Sequence, residues 1–419
     1  MSDDLRSGGP RAKRTRVDDR LTDPGFLVHA DPGQVTALLD AASGPAARLA
    51  AAVYRTSAHL HRDTTAGVRR QLLALDAARY GDRELSARIS AVAVQDEPAA
   101  GWGVEWATGS LLDSRFRHTL ASDFRKVSAL ATTVVDGRVC VLTGAADDTV
   151  RVWDLATGEP VGRPLIGHVY PVCAVATAVV DGRVRAVTGG ADETVRVWDL
   201  TSRQQIGDPL IPHTGWLQAT AVVDGRVCAI THGLDKTVRM WDLATGEEVG
   251  DPLIDDTGWV RLMATAVVDG RPCAVIHSGY GDDETVRVWE LTTGQRIGGP
   301  LTSHTGRVCG VTTGVVDGRA CAITSSDADP VRVWDLATGE QVGDSLISHA
   351  DWMRVAAVVD GRVRIVTSDD KRVRVWDLAT GEQIGPEAVF PLPVHAVAMV
   401  PDGRLVVGFG HEVAVLARR

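Results

Sequence analysis

The chain has very little lysine: four residues, against 40 arginines, in a total of 419. A GC-rich bacterial coding sequence is the expected source of that bias. Aromatic residues make up only 5%, and the 11 tryptophans outnumber the five phenylalanines and four tyrosines together, so tryptophan is placed for a purpose rather than spread as general filler. No apolar run approaches the roughly 20 residues that a membrane helix requires. The opening MSDDLRSGGP has no apolar core and is not expected to be a signal peptide. None of the six cysteines forms a CxxC pair, which argues against zinc ribbons and dithiol redox sites. Cys140, Cys228, Cys273 and Cys321 share one offset after an Asp-Gly pair, and Cys173 and Cys309 share another position. That regularity reads as small buried filler in a reduced, cytoplasmic setting. There is no GxxxxGK[ST] phosphate loop; Lys236-Thr237 follows Asp235 in a turn between strands, where no glycine loop could cradle a phosphate. The net charge is −10, unevenly placed: residues 1–125 hold 17 basic and 16 acidic residues, leaving 27 and 38 for residues 126–419. A body that acidic points away from nucleic acid, whose backbone needs clustered positive charge. The one basic run, RAKRTR at 11–16, reads as part of a solvated tail.

What the chain does have is repetition. VVDGR stands at 134–138 and returns at 179–183, 222–226, 267–271, 315–319 and 358–362, then as VPDGR at 400–404. The Asp-Gly pairs are 45, 43, 45, 48, 43 and 42 residues apart. Each unit holds an apolar run such as VCAVATAVV, the Asp-Gly pair, and a second run such as RVRAVT. A polar turn, the alternating TVRVWDL, an ATGE turn and a weaker fourth run complete it. Asp-Gly between two β-rich runs is a strong hairpin signal, because a tight type I′ turn needs positive φ at both central residues. Four short strands per unit make a small antiparallel sheet. One such sheet cannot bury both faces, but sheets packed face to face around an axis can.

These units resemble the repeats of WD40 proteins over residues 126–419. The resemblance implies a mainly β fold, a seven-bladed propeller of four-stranded antiparallel blades with a small N-terminal α-helical segment. It also implies a structural network of His, Thr, Asp and Trp in each blade: His168, Thr188, Asp192 and Trp198; His213, Thr231, Asp235 and Trp241; His349, Thr367, Asp370 and Trp376. Blade 1 places Asp123 at the His position, blade 4 has Asp256 for His and Ile276 for Thr, and blade 5 has Ala328 for Asp. Indole, hydroxyl, imidazole and carboxylate can satisfy one another when buried, so His168 and Asp192 are expected to be structural rather than a catalytic dyad. The seventh unit lacks the tryptophan and stops before an outer strand. WATGSLLDSRFRHTL (106–120) echoes WDLATGEPVGRPL (153–165), and residues 110–120 are expected to close the last blade.

Upstream, residues 1–23 read as disordered, 24–94 as about four short helices, 95–109 as a linker, and 110–419 as the propeller. The helical part resembles, weakly, the stretch that precedes WD40 arrays in STAND-type signalling NTPases.

The units differ most in the loops that lead into each first strand and in the turns between the second and third strands. Binding can be built where repetition is not required. The entering loops carry Arg125, Tyr170, Trp216, Trp259, Arg307 and Trp352, and the enlarged turn HSGYGDDE of blade 4 adds Tyr280. Aromatic and arginine side chains are the usual anchors of interfaces; the competing reading is that the tryptophans only plug blade tops. Asp148, Asp282, Asp327 and Asp369 make the same rim acidic, so a basic peptide is the expected ligand. The arginines after the Asp-Gly pairs ring the other face and read as solvated charge pairs. No catalytic set, cofactor site or metal site is expected: His59 and His61 do not share a helix face, and His232, His277 and His411 fall on different blades. The expected function is a non-catalytic scaffold for a protein or peptide, without nucleic acid or membrane. The alternative is a ligand-sensing or autoinhibitory module acting with a separate STAND-type NTPase.

Overall fold

The structure is a computed structural model. It describes all residues except 1–9, 96–101, 109–125, 211–214, 234, 253–259, 279–284, 302–305, 327, 344–351, 360–361 and 419. By compactness the chain divides into two units: residues 1–121 with 385–391 and 414–419, and residues 122–384 with 392–413.

In the second unit the Asp-Gly hairpins form as their chemistry requires. Asp136, Asp181, Asp224, Asp269 and Asp317 have φ of 49–51°, and the glycines after them 73–79°. Only glycine, and less readily Asp or Asn, takes up this backbone at little cost. The two-residue turn fixes register, so Val135 faces Arg138 and Val180 faces Arg183. The strands built on these turns are β2 (Val127–Val135), β3 (Arg138–Ala145), β4 (Thr149–Asp154) and β5 (Leu165–Ile166) in blade 1, and β6 (Val172–Val180), β7 (Arg183–Gly190), β8 (Val195–Asp199) and β9 (Gln204–Leu210) in blade 2. Blade 3 has β10 (Gly215–Val223), β11 (Arg226–Gly233) and β12 (Val238–Asp242); blade 4 has β13 (Val260–Val268), β14 (Arg271–Ser278), β15 (Thr285–Glu290) and β16 (Arg296–Ile297). Blade 5 has β17 (Val308–Val316), β18 (Arg319–Ser326) and β19 (Arg332–Asp335); blade 6 has β20 (Trp352–Val359), β21 (Arg362–Ser368), β22 (Arg372–Asp377) and β23 (Ala388–Val389). Blade 7 is β24 (Val394–Met399), β25 (Leu405–Phe409), β26 (Glu412–Arg418) and, as its outer strand, β1 (Trp102–Ala107). The protein is therefore a seven-bladed β-propeller. Successive first strands touch one another in the order β2, β6, β10, β13, β17, β20, β24 and back to β2, which makes them a closed inner ring.

Blades adhere through one recurring contact. In four blades the third-strand tryptophan shares a core cluster with the second strand of the blade before it: Trp198 with Cys140 and Leu142, Trp289 with Cys228 and Ile230, Trp334 with Val275 and Cys273, and Trp376 with Cys321 and Ile323. Each fully buried indole contributes several kcal/mol at about 25 cal/mol per Å². The cysteine filler at this position is buried, as expected, and burial raises each thiol pKa, that of Cys228 to about 11. Cys173 departs from the expectation. It is exposed, and Cys309 is half-buried, because both occupy the bulge near the start of the first strand, where an extra residue is turned out of the ladder. Threonine hydroxyls add ties between inner strands, Thr177 to the Thr132 carbonyl, Thr265 to Thr220 and Thr313 to Thr265. Approach is so close at the ends of β3, β7 and β25 that a Cβ on Gly144, Gly189 or Gly408 would lie 2.7–2.8 Å from side chains of the next first strand.

In the first unit the helices are α1 (Pro10–Leu21), α2 (Pro24–His29), α3 (Pro32–Thr36), α4 (Pro45–His61), α5 (Ala66–Arg79) and α6 (Arg83–Ser90). Helix α1 falls where no structure was expected. Polar composition hid its anchor: the Asp18 carboxylate accepts from the amides of Ser43 and Gly44 and from the Ser43 hydroxyl at the start of α4, while Leu21 is fully buried. The buried Arg69 guanidinium donates to the carbonyls of Val28, Ala30, His61 and Thr64, so two helix C-termini converge on one cation. Helices α5 and α6 pack on β1. The Gln71 side chain donates to the Glu387 carbonyl and accepts from the Val389 amide, both at 2.8 Å, which caps the β23 backbone. None of the described helices is long and apolar enough to cross a membrane.

The closing strand also needs correction. Residues 110–120 lie outside the described residues, and the strand paired with β26 is β1, within the expected linker, with Trp102 opposite Arg418 and Val104 opposite Leu416. The echo of WATG with WDLATG aligned this segment with a third strand and pushed the expected outer strand too far downstream. The better signal is the apolar pair two apart in WGVEWA, since Val104 and Trp106 are its buried side chains, with Glu105 half-exposed between them.

Candidate functional site

Two rims flank the inner ring. One carries the Asp-Gly hairpins. The other carries the loops that enter each first strand and the turns between second and third strands, where the sequence places its candidates.

Blade 2 shows how a loop on that second rim is held. The His168 Nδ1 lies 3.0 Å from both Asp192 carboxylate oxygens, and its Nε2 lies 2.8 Å from the Thr188 hydroxyl. Trp198 Nε1 donates to that hydroxyl at 2.9 Å. Every group is satisfied when Nδ1 donates to the carboxylate and the threonine hydroxyl donates to Nε2. Asp192 also accepts from the Val169 amide and from the amide and hydroxyl of Thr194, so one carboxylate ties the entering loop to the turn. Burial pushes the His168 pKa down against the pull of Asp192. Burial alone would raise that of Asp192, but the Val169 amide, His168 and Thr194 bring it below the usual carboxylate range. A neutral imidazole beside a carboxylate is the stable state. The triad-like arrangement cannot act as a nucleophile system, because the Thr188 hydroxyl is fully buried and already engaged by Trp198.

The Trp-to-Thr bond recurs as Trp153 to Thr143, Trp241 to Thr231, Trp334 to Thr324 and Trp376 to Thr367, at 2.9–3.0 Å. In blade 3 Asp235 caps its turn through the amide and hydroxyl of Thr237. In blade 6 the carboxylate that caps the turn is Asp369, bonded to the amides of Lys371 and Arg372, rather than Asp370, because this turn is one residue shorter. In blade 5 sequence reasoning stopped at Ala328 and missed Asp329. Its carboxylate accepts from the Gly306 amide and the Ser326 hydroxyl, tying the entering loop as Asp192 does in blade 2. The acid one residue beyond the expected place was the available signal. His213 and His349, together with the substituted positions Asp123 and Asp256, lie outside the described residues. Blade 4 is the exception: with Ile276 in place of threonine, the buried Trp289 Nε1 has no hydrogen-bond partner among the described residues, and the Arg296 guanidinium stacks 4.8 Å from the ring centroid.

Of the binding candidates, Tyr170 is exposed on the entering loop of blade 2 and Arg307 on that of blade 5. Trp216 and Trp352 fall at the starts of β10 and β20, opposite His232 and Ser368, hence at the same end of the ring. Arg125, Trp259 and Tyr280 lie outside the described residues. Sequence reasoning missed two neighbours of Tyr170: Ile166 and Val169 are 74% and 67% exposed, and Tyr170 60%. No group of three His, Cys, Asp or Glu residues among the described residues could hold a metal ion. His232 and His277 are fully buried, at matching ends of β11 and β14 in different blades.

Comparison with known families and proteins adds to this geometry. The family model "WD domain, G-beta repeat" matches residues 114–154 and 158–199, the stretch of blades 1 and 2. No curated protein matches the chain.

Proposed function

We propose that this chain, a WD40-repeat β-propeller, is a non-catalytic scaffold that binds a protein or peptide on the rim of entering loops. WD40 propellers are typically interaction scaffolds. The observation that carries it is the apolar patch on the entering loop of blade 2. Val169 and Tyr170 expose most of their surface on a loop whose backbone the His168–Asp192 network holds, and Ile166 does so at the end of β5, where the chain enters that loop. Exposed apolar side chains on a fixed backbone bind at small entropic cost, because little has to be ordered. The carboxylates on neighbouring turns favour a basic partner. Affinity capture with the native chain beside an Ile166→Ser/Tyr170→Ser variant tests this reading. Loss of a defined partner from a variant that melts like the native chain supports it. Equal capture, or a hydrolase activity that co-purifies to constant specific activity, would sink it.

A further inference from the structure

The described residues expose eight large apolar side chains, and five of them occupy one repeat position. Val134, Val179, Val222, Val267 and Val315, the first valine of each VVDGR, are 51–63% exposed. Val358 holds the same place in the sixth unit. All sit at the Asp-Gly end of first strands that form a closed ring, so the valines surround one mouth of it. Val179, Val222 and Val267 of successive blades line a common cavity of about 520 Å³, with Thr177 and Thr265 beside them. Those two hydroxyls already donate to carbonyls of the neighbouring blade, so the wall presents mainly methyl groups.

The charges around the ring are not balanced. Four of the seven hairpin arginines are matched by carboxylates of the third strand: Arg183 with Asp199, Arg271 with Glu290, Arg319 with Asp335 and Arg362 with Asp377, at 3.4–3.9 Å. The turn residues Asp136, Asp224, Asp269 and Asp317 have no such partner among the described residues. Glu159, Glu340 and Glu382 of the ATGE turns are exposed on the same rim. An apolar ring is thus edged by a surplus of carboxylates. A second copy of the chain would set one surplus against another, and an acidic partner would be repelled.

We propose that the Asp-Gly rim is a second docking surface, and that its occupant is a basic protein segment carrying a bulky apolar side chain. That side chain covers the valine ring while its cationic neighbours meet the turn carboxylates. The site is independent of the entering-loop rim.

The test uses the full chain and three synthetic peptides followed by fluorescence anisotropy: Leu-Phe-Leu flanked by three lysines on each side, the same flanks around Ser-Ser-Ser, and Leu-Phe-Leu flanked by glutamates. The first is expected to bind at least about tenfold tighter than either control, as fits a contact that needs both burial and charge. Val179→Ser/Val222→Ser/Val267→Ser should lose that preference, and the substitutions are surface changes that leave the fold intact. Asp224→Asn/Asp269→Asn/Asp317→Asn should weaken binding several-fold, since asparagine keeps the positive φ of the turn but not the charge. An Ile166→Ser/Tyr170→Ser variant should bind like the native chain. Equal binding of the serine-centred peptide, or unchanged binding by the valine variant, overturns the proposal. So does a chain that doubles in mass with concentration and stays monomeric only as the valine variant, which would make the ring a self-interface.

Discussion

The two rims of the propeller are built from the same seven repeats and obey different constraints. On the Asp-Gly rim the units barely vary. The turn itself explains part of this, since Asp at φ near 50° and glycine at 73–79° set the register of the hairpin and hence which side chains enter the blade contacts. It does not explain the first valine. Val135, Val180, Val223 and Val268 are buried and must fit, whereas Val134, Val179, Val222 and Val267 face solvent, where packing asks for nothing in particular. On the opposite rim the units vary, yet the backbone there is pinned from beneath by side-chain networks that differ in detail from blade to blade. Repetition therefore does not separate scaffold from surface. Identical residues can form a surface, and variable loops can rest on a fixed frame.

The strongest way to break the comparison is to cut that frame. Thr188→Val removes the acceptor of Trp198 and the partner of His168 while keeping the shape, and leaving two buried groups unsatisfied should cost about 3 kcal/mol. Denaturant unfolding measures the loss. Hydrogen exchange should localise it, with faster exchange at the Val169 amide and unchanged exchange in the β6–β7 hairpin. Acid should act on the same network. The Asp192 pKa is depressed in the folded state, so its contribution is present above the unfolded value of 3.8 and is lost as pH falls through the folded one. The His168 pKa is also depressed, so the folded state resists protonation and stability begins to fall already below pH 6.5. Asp192→Asn should flatten the lower part of that profile. On the Asp-Gly rim a smaller effect is expected. Gly225→Ala forces a Cβ into a backbone with φ of 76° and should cost about 1–2 kcal/mol, while Asp224→Asn should be nearly neutral. If Asp224→Asn proved as costly as Gly225→Ala, the turn would depend on the carboxylate and not on backbone conformation.

The parts of the molecule legible in the sequence are those where one residue type answers one local demand. Asp-Gly demands a hairpin, and Trp ten residues after Thr, as in Thr188 and Trp198, puts an indole over a hydroxyl across paired strands. What escaped depends on contacts remote in the chain. Asp18 looked like part of a polar tail because its partners are 25 and 26 residues away, and β1 looked like linker because its partner is β26, more than 300 residues downstream. Asp329 was missed because a template position was read literally, although a carboxylate one residue along still reaches an amide of the entering loop. Of the candidate site, the sequence located Tyr170 but not Ile166 and Val169. Exposure of an apolar residue is a property of the folded chain, not of residue type.

The smallest expected change is the most discriminating. Blade 4 lacks the hydroxyl that blades 1, 2, 3, 5 and 6 place under the tryptophan, and the indole N–H of Trp289 is buried without an acceptor among the described residues. Ile276→Thr would restore the pair. Trading a buried isoleucine for a smaller side chain costs about 1 kcal/mol, and satisfying a buried donor returns about 1–3 kcal/mol, so a net gain of about 1 kcal/mol is expected. The Arg296 guanidinium over the ring should be unaffected, and Arg296→Ala should cost the same small amount in both backgrounds. Thermal melting of the four chains in this cycle reads both quantities. A loss of stability in Ile276→Thr would show that blade 4 has repacked around isoleucine. Its tryptophan would then serve the blade contact by burial alone, and the hydrogen bond beneath the entering-loop rim would be dispensable where the turn above it has grown.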